Sequence, residues 1–251
     1  QHFFTHEPIT VSVSVLEQMF LYLHALDVDI DAFLRSIQVE PVSVRTPDIR
    51  IPIETYLKIQ DNAALYTGDP CFGLHMGEYA EAGSWSILGY LMMNCKTLGE
   101  AFEKSGRYAR IIGNLIEARP EPGLNKIRCV FFTPPHAPSM SRHCFEATFA
   151  SSVRIMRNLS GLPLNPLQVT FIYPEPESTT EYLRVFGCPV LFNQRHNSVT
   201  IDSAVGRIPV KMANPVLLQQ FEDYAQYFLA QMELKPSTTR QVTKIILARL
   251  D

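Results

Sequence analysis

The sequence predicts an α+β fold with N-terminal helices, an antiparallel sheet with one long covering helix, and a C-terminal helical linker. Three observations carry that expectation. Helical periodicity dominates the chain as far as Gly113. Short β-rich runs punctuated by proline and glycine follow, with one long helical pattern among them. Helical periodicity then returns at Asn214. Helices, then strands, then helices is the order of a segregated α+β layout, not of an alternating parallel one.

Taken in order, residues 11–25 carry Val15, Met19, Tyr22, Leu23 and Leu26 at helical spacing. The alternation VSVSV at 11–15 also fits the start of a strand, but the longer period continues beyond it. Residues 31–37 read as a short second helix. Pro41, Pro47 and Pro52 mark an extended connection. Residues 53–65 form a third helix through Tyr56, Leu57, Ile59 and Gln60. Asp69-Pro70 is a helix start, since Asp accepts from free backbone N–H groups and Pro is tolerated at the first helical position. Gly83-Ser84 opens another helix, running through Tyr90. Thr97-Leu98-Gly99-Glu100 fits a capping box, and the helix after it turns Leu98, Ala101, Phe102, Ser105, Ala109 and Ile112 inward.

Residues 115–118 and 127–132 read as strands of a hairpin, joined across Pro120, Pro122 and Gly123. A long helix spans 139–159 and stops at Gly161. Residues 169–173, 190–192 and 198–201 are further strands. Ser178 with Glu181 makes a second capping box for a helix ending near Phe186-Gly187. From Asn214 to Glu233, Leu217, Leu218, Phe221, Tyr224, Ala225, Phe228, Leu229 and Met232 form an apolar stripe. It suits packing on the chain's own domain and a dimer contact alike. Lys235-Pro236-Ser237 breaks it, and a last helix starts at Thr238 or Thr239. The division expected is 1–212 as a binding domain, 213–236 as a linker and dimerisation helix, and 237–251 as the opening of a further module.

Composition sets bounds. The chain has 251 residues, 46% of them hydrophobic, enough for a sizeable core. Its 22 basic and 25 acidic residues give a formal charge of −3, which lacks the basic excess of a nucleic-acid-binding surface. The most apolar short stretch, 86–93, is broken by Gly89 and is too short to span a bilayer. The first residues, QHFFTHEPIT, have neither a basic start nor a cleavage site. Five cysteines at wide spacing, with no C-x-x-C pair, argue for reduced thiols and a cytoplasmic protein.

Catalytic and metal chemistry find little support in the residues. There is no G-x-S-x-G elbow and no carboxylate pair in a recognisable motif. Cys144 points about 100° away from His143 on a helix, so the two do not form a nucleophile–base pair by themselves. His136 and His143 lie seven residues apart across a proline, which is no known ligand spacing. Tyr108, Arg110 and His143 are too thin a set for haem, which needs an axial ligand in an apolar pocket. No metal or cofactor is expected. A mostly apolar ligand pocket is, lined by Trp85, Tyr90, Tyr108, Phe131, Phe132, His136, Arg142, His143 and Phe149. Arg107 and Arg110 suit a carboxylate ligand through bidentate pairing. Phe131 and Phe132 alternate on a strand, so only one of them faces the core.

Four segments carry a family resemblance: GDPCFGLHMGE (68–78), LGYLMMNCKTLGEAFEKSGRYARIIGN (88–114), FGCPVLFNQRHNSVTID (186–202) and TTRQVTKIILARLD (238–251). In this order they resemble the effector-binding half of AraC-type transcriptional regulators, in the ornithine-utilisation and VirS-like subgroup with a long N-terminal domain. The resemblance implies a sensor that is not an enzyme. It also implies a small-molecule effector, a homodimer, no membrane, and promoter DNA contacted through a C-terminal module of two helix-turn-helix motifs. The fourth segment resembles that module's first helix, and a recognition helix needs a bracing partner to enter the major groove. The alternatives are a stand-alone small-molecule-binding protein or enzyme, and a structural dimerisation module.

Overall fold

A computed structural model describes residues 7–46 and 49–234. The helix start expected at Thr238 or Thr239, the 237–251 module and Pro47 lie outside the described residues.

Strand β1 (Thr10–Ser12) opens the description and continues into a 3-10 turn over Val13–Leu16. Helix α1 (Glu17–Ala25) begins only after that turn. The VSVSV alternation is therefore strand and 3-10 turn, not the first turns of a helix as its longer period implied. The β-branched residues at 11 and 13 favour the pleated surface. Helix α2 (Ile30–Ser36) starts where Asp29 accepts from Ala32 N. Helix α3 (Pro41–Arg45) corrects the expected extended connection: Pro41 occupies the first helical turn, where its missing N–H costs nothing. Strand β2 (Arg50–Pro52) pairs antiparallel with β1. Helix α4 (Ile53–Thr67) ends at Gly68, whose φ of 64° is the left-handed cap.

Helix α5 (Phe72–Glu78) begins later than Asp69-Pro70 implied; Asp69 Oδ1 accepts from Cys71 N and shapes the turn before it. A 3-10 turn over Ala82–Trp85 precedes α6 (Ser86–Asn94), so the helix expected at Gly83-Ser84 is two elements. In α7 (Leu98–Tyr108), Thr97 Oγ1 caps Glu100 N, and Glu100 returns to Lys96 N instead of the cap's own N–H. Its buried face is Leu98, Ala101 and Tyr108, with Phe102 and Ser105 only half-buried.

Strand β3 (Glu117–Pro122) holds Pro120 and Pro122 within it, where a connection was expected. It is exposed along its whole length, and proline is tolerated on such an outer strand. Strand β4 (Lys126–Phe132), helix α8 (His143–Ser160), strand β5 (Gln168–Thr170), helix α9 (Thr180–Phe186), strand β6 (Val190–Leu191) and strand β7 (Asn197–Asp202) complete the body. Helix α8 starts at His143, not at 139. The capping box at Ser178 and Glu181 does not form, because the Glu181 carboxylate bonds to His75 and Arg184. Helix α10 (Pro215–Leu234) follows Asn214, whose Oδ1 caps Val216 N and Leu217 N.

The larger sheet runs β3-β4-β7-β5-β6 and is antiparallel except for the β5–β6 pair. Helices α8 and α9 cover its inner face, where Phe149 lies 4.7 Å from Phe131 and stacks at 5.3 Å on Phe171. On the outer face Ser198 Oγ hydrogen-bonds to both Arg128 Nε and Thr170 Oγ1. A second core lies among the N-terminal helices. Helices α5 and α8 form the wall between the two: Phe72, Met76, Cys144 and Ala147 face one core, while Leu74, Phe145 and Phe149 face the other. All five cysteines are free thiols; burial pushes those of Cys95 and Cys144 up to about 12, which keeps them unreactive.

Candidate functional site

The α5–α8 wall rests on two glycines four residues apart on α5. A Cβ on Gly73 would fall 2.5 Å from His143 O, and one on Gly77 would fall 2.5 Å from Ala150 Cβ. Only hydrogen fits at either place. Glycine weakens a helix by about 1 kcal/mol relative to alanine; here it lets α5 lie directly on the first half of α8.

That contact assembles a polar constellation around Glu146, which is 0% exposed. Its Oε1 accepts from Tyr182 Oη, from Tyr173 Oη at 3.3 Å, and faces Arg142 Nε at 3.4 Å. Its Oε2 lies 2.8 Å from His143 Nδ1, which is also 3.3 Å from Gly73 N. Arg142 Nη2 donates to Pro70 O at 2.6 Å. Burial, reinforced by the Glu146 charge, pushes both tyrosine phenols well above their ordinary value, so they stay protonated donors. Both carboxylate oxygens are engaged. The constellation ties α5, α8, α9 and the chain after β5 together.

A second network adjoins it. His75 Nδ1 lies 2.7 Å from Asp69 Oδ2, and His75 Nε2 lies 2.9 Å from Glu181 Oε2. Tyr22 Oη donates to Asp69 Oδ2 at 2.7 Å, while Arg184 bridges Glu181 and Glu78. Hydrogen bonding to Asp69 outweighs burial and raises His75 to about 9. Burial pushes Asp69 upward, yet hydrogen bonds from His75 and Tyr22 prevail and hold it at about 2. Imidazolium bonding likewise lowers Glu181. His75 is thus a cation that joins α1, α5 and α9.

The residues expected to line one pocket are divided among separate places. Arg142 and His143 belong to the Glu146 constellation, and Phe149 lies further along α8 in the aromatic core. Phe131 faces that core; Phe132 points the other way, with Arg119 5.1 Å over its ring. Tyr90, Arg107 and Tyr108 lie under α10. Tyr90 stacks on Phe221 at 5.7 Å, and Tyr108 Oη donates to Glu222 Oε1 at 3.0 Å. Lys104 Nζ meets Glu222 Oε2 at 2.6 Å, and Arg107 approaches Glu222 at 3.7 Å. Arg110 pairs with Glu7, and His136 Nε2 is 3.3 Å from Glu7 O in an exposed loop. Trp85 closes the 3-10 turn before α6. A separate concavity of about 230 Å³ opens between that turn, the end of α8 and the segment before α10; Glu81, Met93, Asn158, Leu159, Lys211 and Met212 are among its walls. Among the described residues no cluster of three or more His, Cys, Asp or Glu side chains is placed to hold a metal.

Sequence reasoning missed Glu146, Tyr173, Tyr182, Asp69, His75 and Glu181 as interacting groups. One signal was available for Glu146. It lies on the apolar stripe of α8, three residues before Phe149, and a carboxylate there is stable only with partners.

Comparison with known proteins places these features in a family context. Residues 28–210, well over half of the chain, match the family described as the arabinose-binding domain of AraC transcription regulator, N-term. The chain is 26% identical over 241 residues to the ornithine utilization regulator of Pseudomonas aeruginosa, covering 95% of this chain and 70% of the relative. The crystal structure of transcriptional regulator CdpR from Pseudomonas aeruginosa superposes with a TM-score of 0.60 at 15% identity, covering 93% of this chain and 71% of that one. The likeness to CdpR is one of fold.

Proposed function

The chain belongs to the family of N-terminal arabinose-binding domains of AraC transcription regulators, and from that premise we propose that it converts occupancy by a small molecule into the placement of a DNA-binding module. It is the sensor portion of a transcriptional regulator. The match over residues 28–210 carries this reading. In the proposed division, 1–212 binds the effector, 213–236 links and dimerises, and 237–251 begins the module that contacts promoter DNA. The protein acts in the cytoplasm as a homodimer and is not an enzyme.

The geometry supports a lever at α10. Its inner side is held on α6 and α7 through Phe221 and Glu222, while Tyr224 and Tyr227 are exposed on the side available to a second copy. An effector shifts such an equilibrium only if it binds one arrangement better than the other. The engagement of both Glu146 oxygens by neighbouring side chains favours this reading over a catalytic one. The test has two steps. Native mass spectrometry and a thermal-shift screen of metabolites identify a compound that stabilises the chain. The full-length protein is then titrated with promoter DNA, with and without that compound. A change in DNA affinity supports the reading; chemical turnover of the compound, or DNA affinity blind to it, refutes it.

A further inference from the structure

We infer that the concavity at the root of α10 is a binding site for a small zwitterion, an amino acid with a short apolar side chain. Two charges of opposite sign line it, Glu81 and Lys211, and its other walls include Met93, Leu159 and Met212. Among the described residues neither charged side chain has an ion-pair or hydrogen-bond partner. Glu81 is the residue before the 3-10 turn, yet its carboxylate caps none of that turn's N–H groups. Lys211 runs past the cap of α8: a Cβ built on Gly161 would fall 2.2 Å from Lys211 Nζ, so the ammonium lies by the C-terminal end of that helix. The helix dipole there favours a cation without neutralising it. A lysine and a glutamate that line one hollow without pairing with each other match the carboxylate and ammonium of an amino acid, whose side chain then meets the methionines. A volume of about 230 Å³ falls below the ~300–1,000 Å³ of drug-sized sites and suits a small metabolite.

The position gives binding a consequence. Lys211 N donates to Leu159 O at 2.8 Å, Val210 N to Lys96 O at 3.2 Å, and Asn214 N to Asn94 O at 3.1 Å. The segment that carries Lys211 is therefore stitched to α6, to α8 and to the connection between α6 and α7, and it runs directly into α10. An occupant joining Glu81 to Lys211 braces the 3-10 turn against that segment. The site deepens the sensor reading and rests on it for its purpose, but its occupancy is measured independently.

The test is calorimetric titration and thermal shift on the chain with L-leucine, L-isoleucine, L-valine and L-methionine. Carboxylate-only 4-methylpentanoate and amine-only 3-methylbutylamine are the truncated controls. At least one amino acid is expected to raise Tm by about 5–10 °C at a hundredfold excess over Kd. Lys211→Met and Glu81→Gln are each expected to weaken that binding about 10–100-fold, as loss of a charge-assisted bond does. Both variants change exposed side chains, and circular dichroism checks that they fold. The inference is overturned if no amino acid in the set binds, or if the truncated controls bind as well as leucine. It is also overturned if both variants bind like the wild type, which would place the ligand elsewhere and leave the sensor reading standing. An amino acid that binds here yet leaves the promoter affinity of the full-length protein unchanged refutes the sensor reading and leaves the site intact.

Discussion

The His75–Asp69 contact predicts a specific dependence of stability on pH, which the variant His75→Gln isolates. Glutamine keeps a donor near Asp69 but does not titrate. Folding raises His75 from 6.5 to about 9, with the side chain 25% exposed and Asp69 13% exposed. At about 1.4 kcal/mol per tenfold change in proton affinity, that is worth roughly 3 kcal/mol. The depression of Asp69 to about 2 is the same contact seen from the carboxylate, so the two are not added. We expect about 2–3 kcal/mol. The sign follows from the direction of each change. The His75 contribution is fully present below pH 6.5 and is lost as pH rises through about 9. The Asp69 contribution is present above 3.8 and is lost as pH falls through about 2. Urea unfolding of both proteins should therefore show the wild type more stable by about 2–3 kcal/mol at pH 6, with most of that gap closed by pH 10. Lysine, tyrosine and cysteine titrations cancel in the difference. A gap that stays constant from pH 6 to pH 10 would refute the reasoning.

Five other perturbations follow from the geometry. Gly77→Val should destabilise by about 1–3 kcal/mol or more through overpacking against Ala150, whereas Gly106→Ala, with nothing within 4 Å of its added methyl, should stabilise α7 by up to about 1 kcal/mol in the same denaturation assay. Glu146→Leu leaves the phenols of Tyr173 and Tyr182 without their acceptor, removes the carboxylate facing Arg142 and should cost about 3–5 kcal/mol; a loss below about 1 would show that the constellation does not hold the helices. Ser86 holds φ 54° and ψ −143°, a conformation suited to glycine, so Ser86→Gly should raise Tm by releasing about 1–3 kcal/mol of strain, partly offset by glycine's entropy. Glu222→Gln should speed hydrogen exchange in α10 while leaving α8 protected, because it removes the negative charge that faces Lys104 and Arg107.

What the sequence disclosed was local. Gly161 and Gly187 stop their helices in the left-handed conformation, the helical pattern resumes at Asn214, and Thr97 caps α7, each through groups within a few residues. Strands β4 to β7 were legible for the same reason, as short apolar or β-branched runs between breakers, whereas β3 was not, because its two prolines read as a connection. Long-range demands were not legible. Glu181 had the spacing of a capping residue, but an imidazolium 106 positions earlier in the chain claimed it. Glu146 found its acceptor role through Tyr182, 36 positions away, so no window of sequence displays the set. Pro41 was read as a breaker because proline both ends helices and begins them, and only the packing of Pro41 and Val44 decides which. The expected pocket residues were chosen as aromatic and basic types on inward faces. That criterion does not separate an aromatic core such as Phe149 with Phe171 from the wall of a hollow.

The two prolines of β3 limit how copies of this protein can meet. Residues 120 and 122 share one side of the strand, and pairing with β4 takes the other, so the outward rim lacks two successive donors. At the opposite rim β6 offers only two residues. Neither border can template an added strand, which guards against ribbon-like polymerisation. Among the described residues this leaves the exposed helical surfaces, such as that of α10 with Tyr224 and Tyr227, whose side chains can be tuned one at a time.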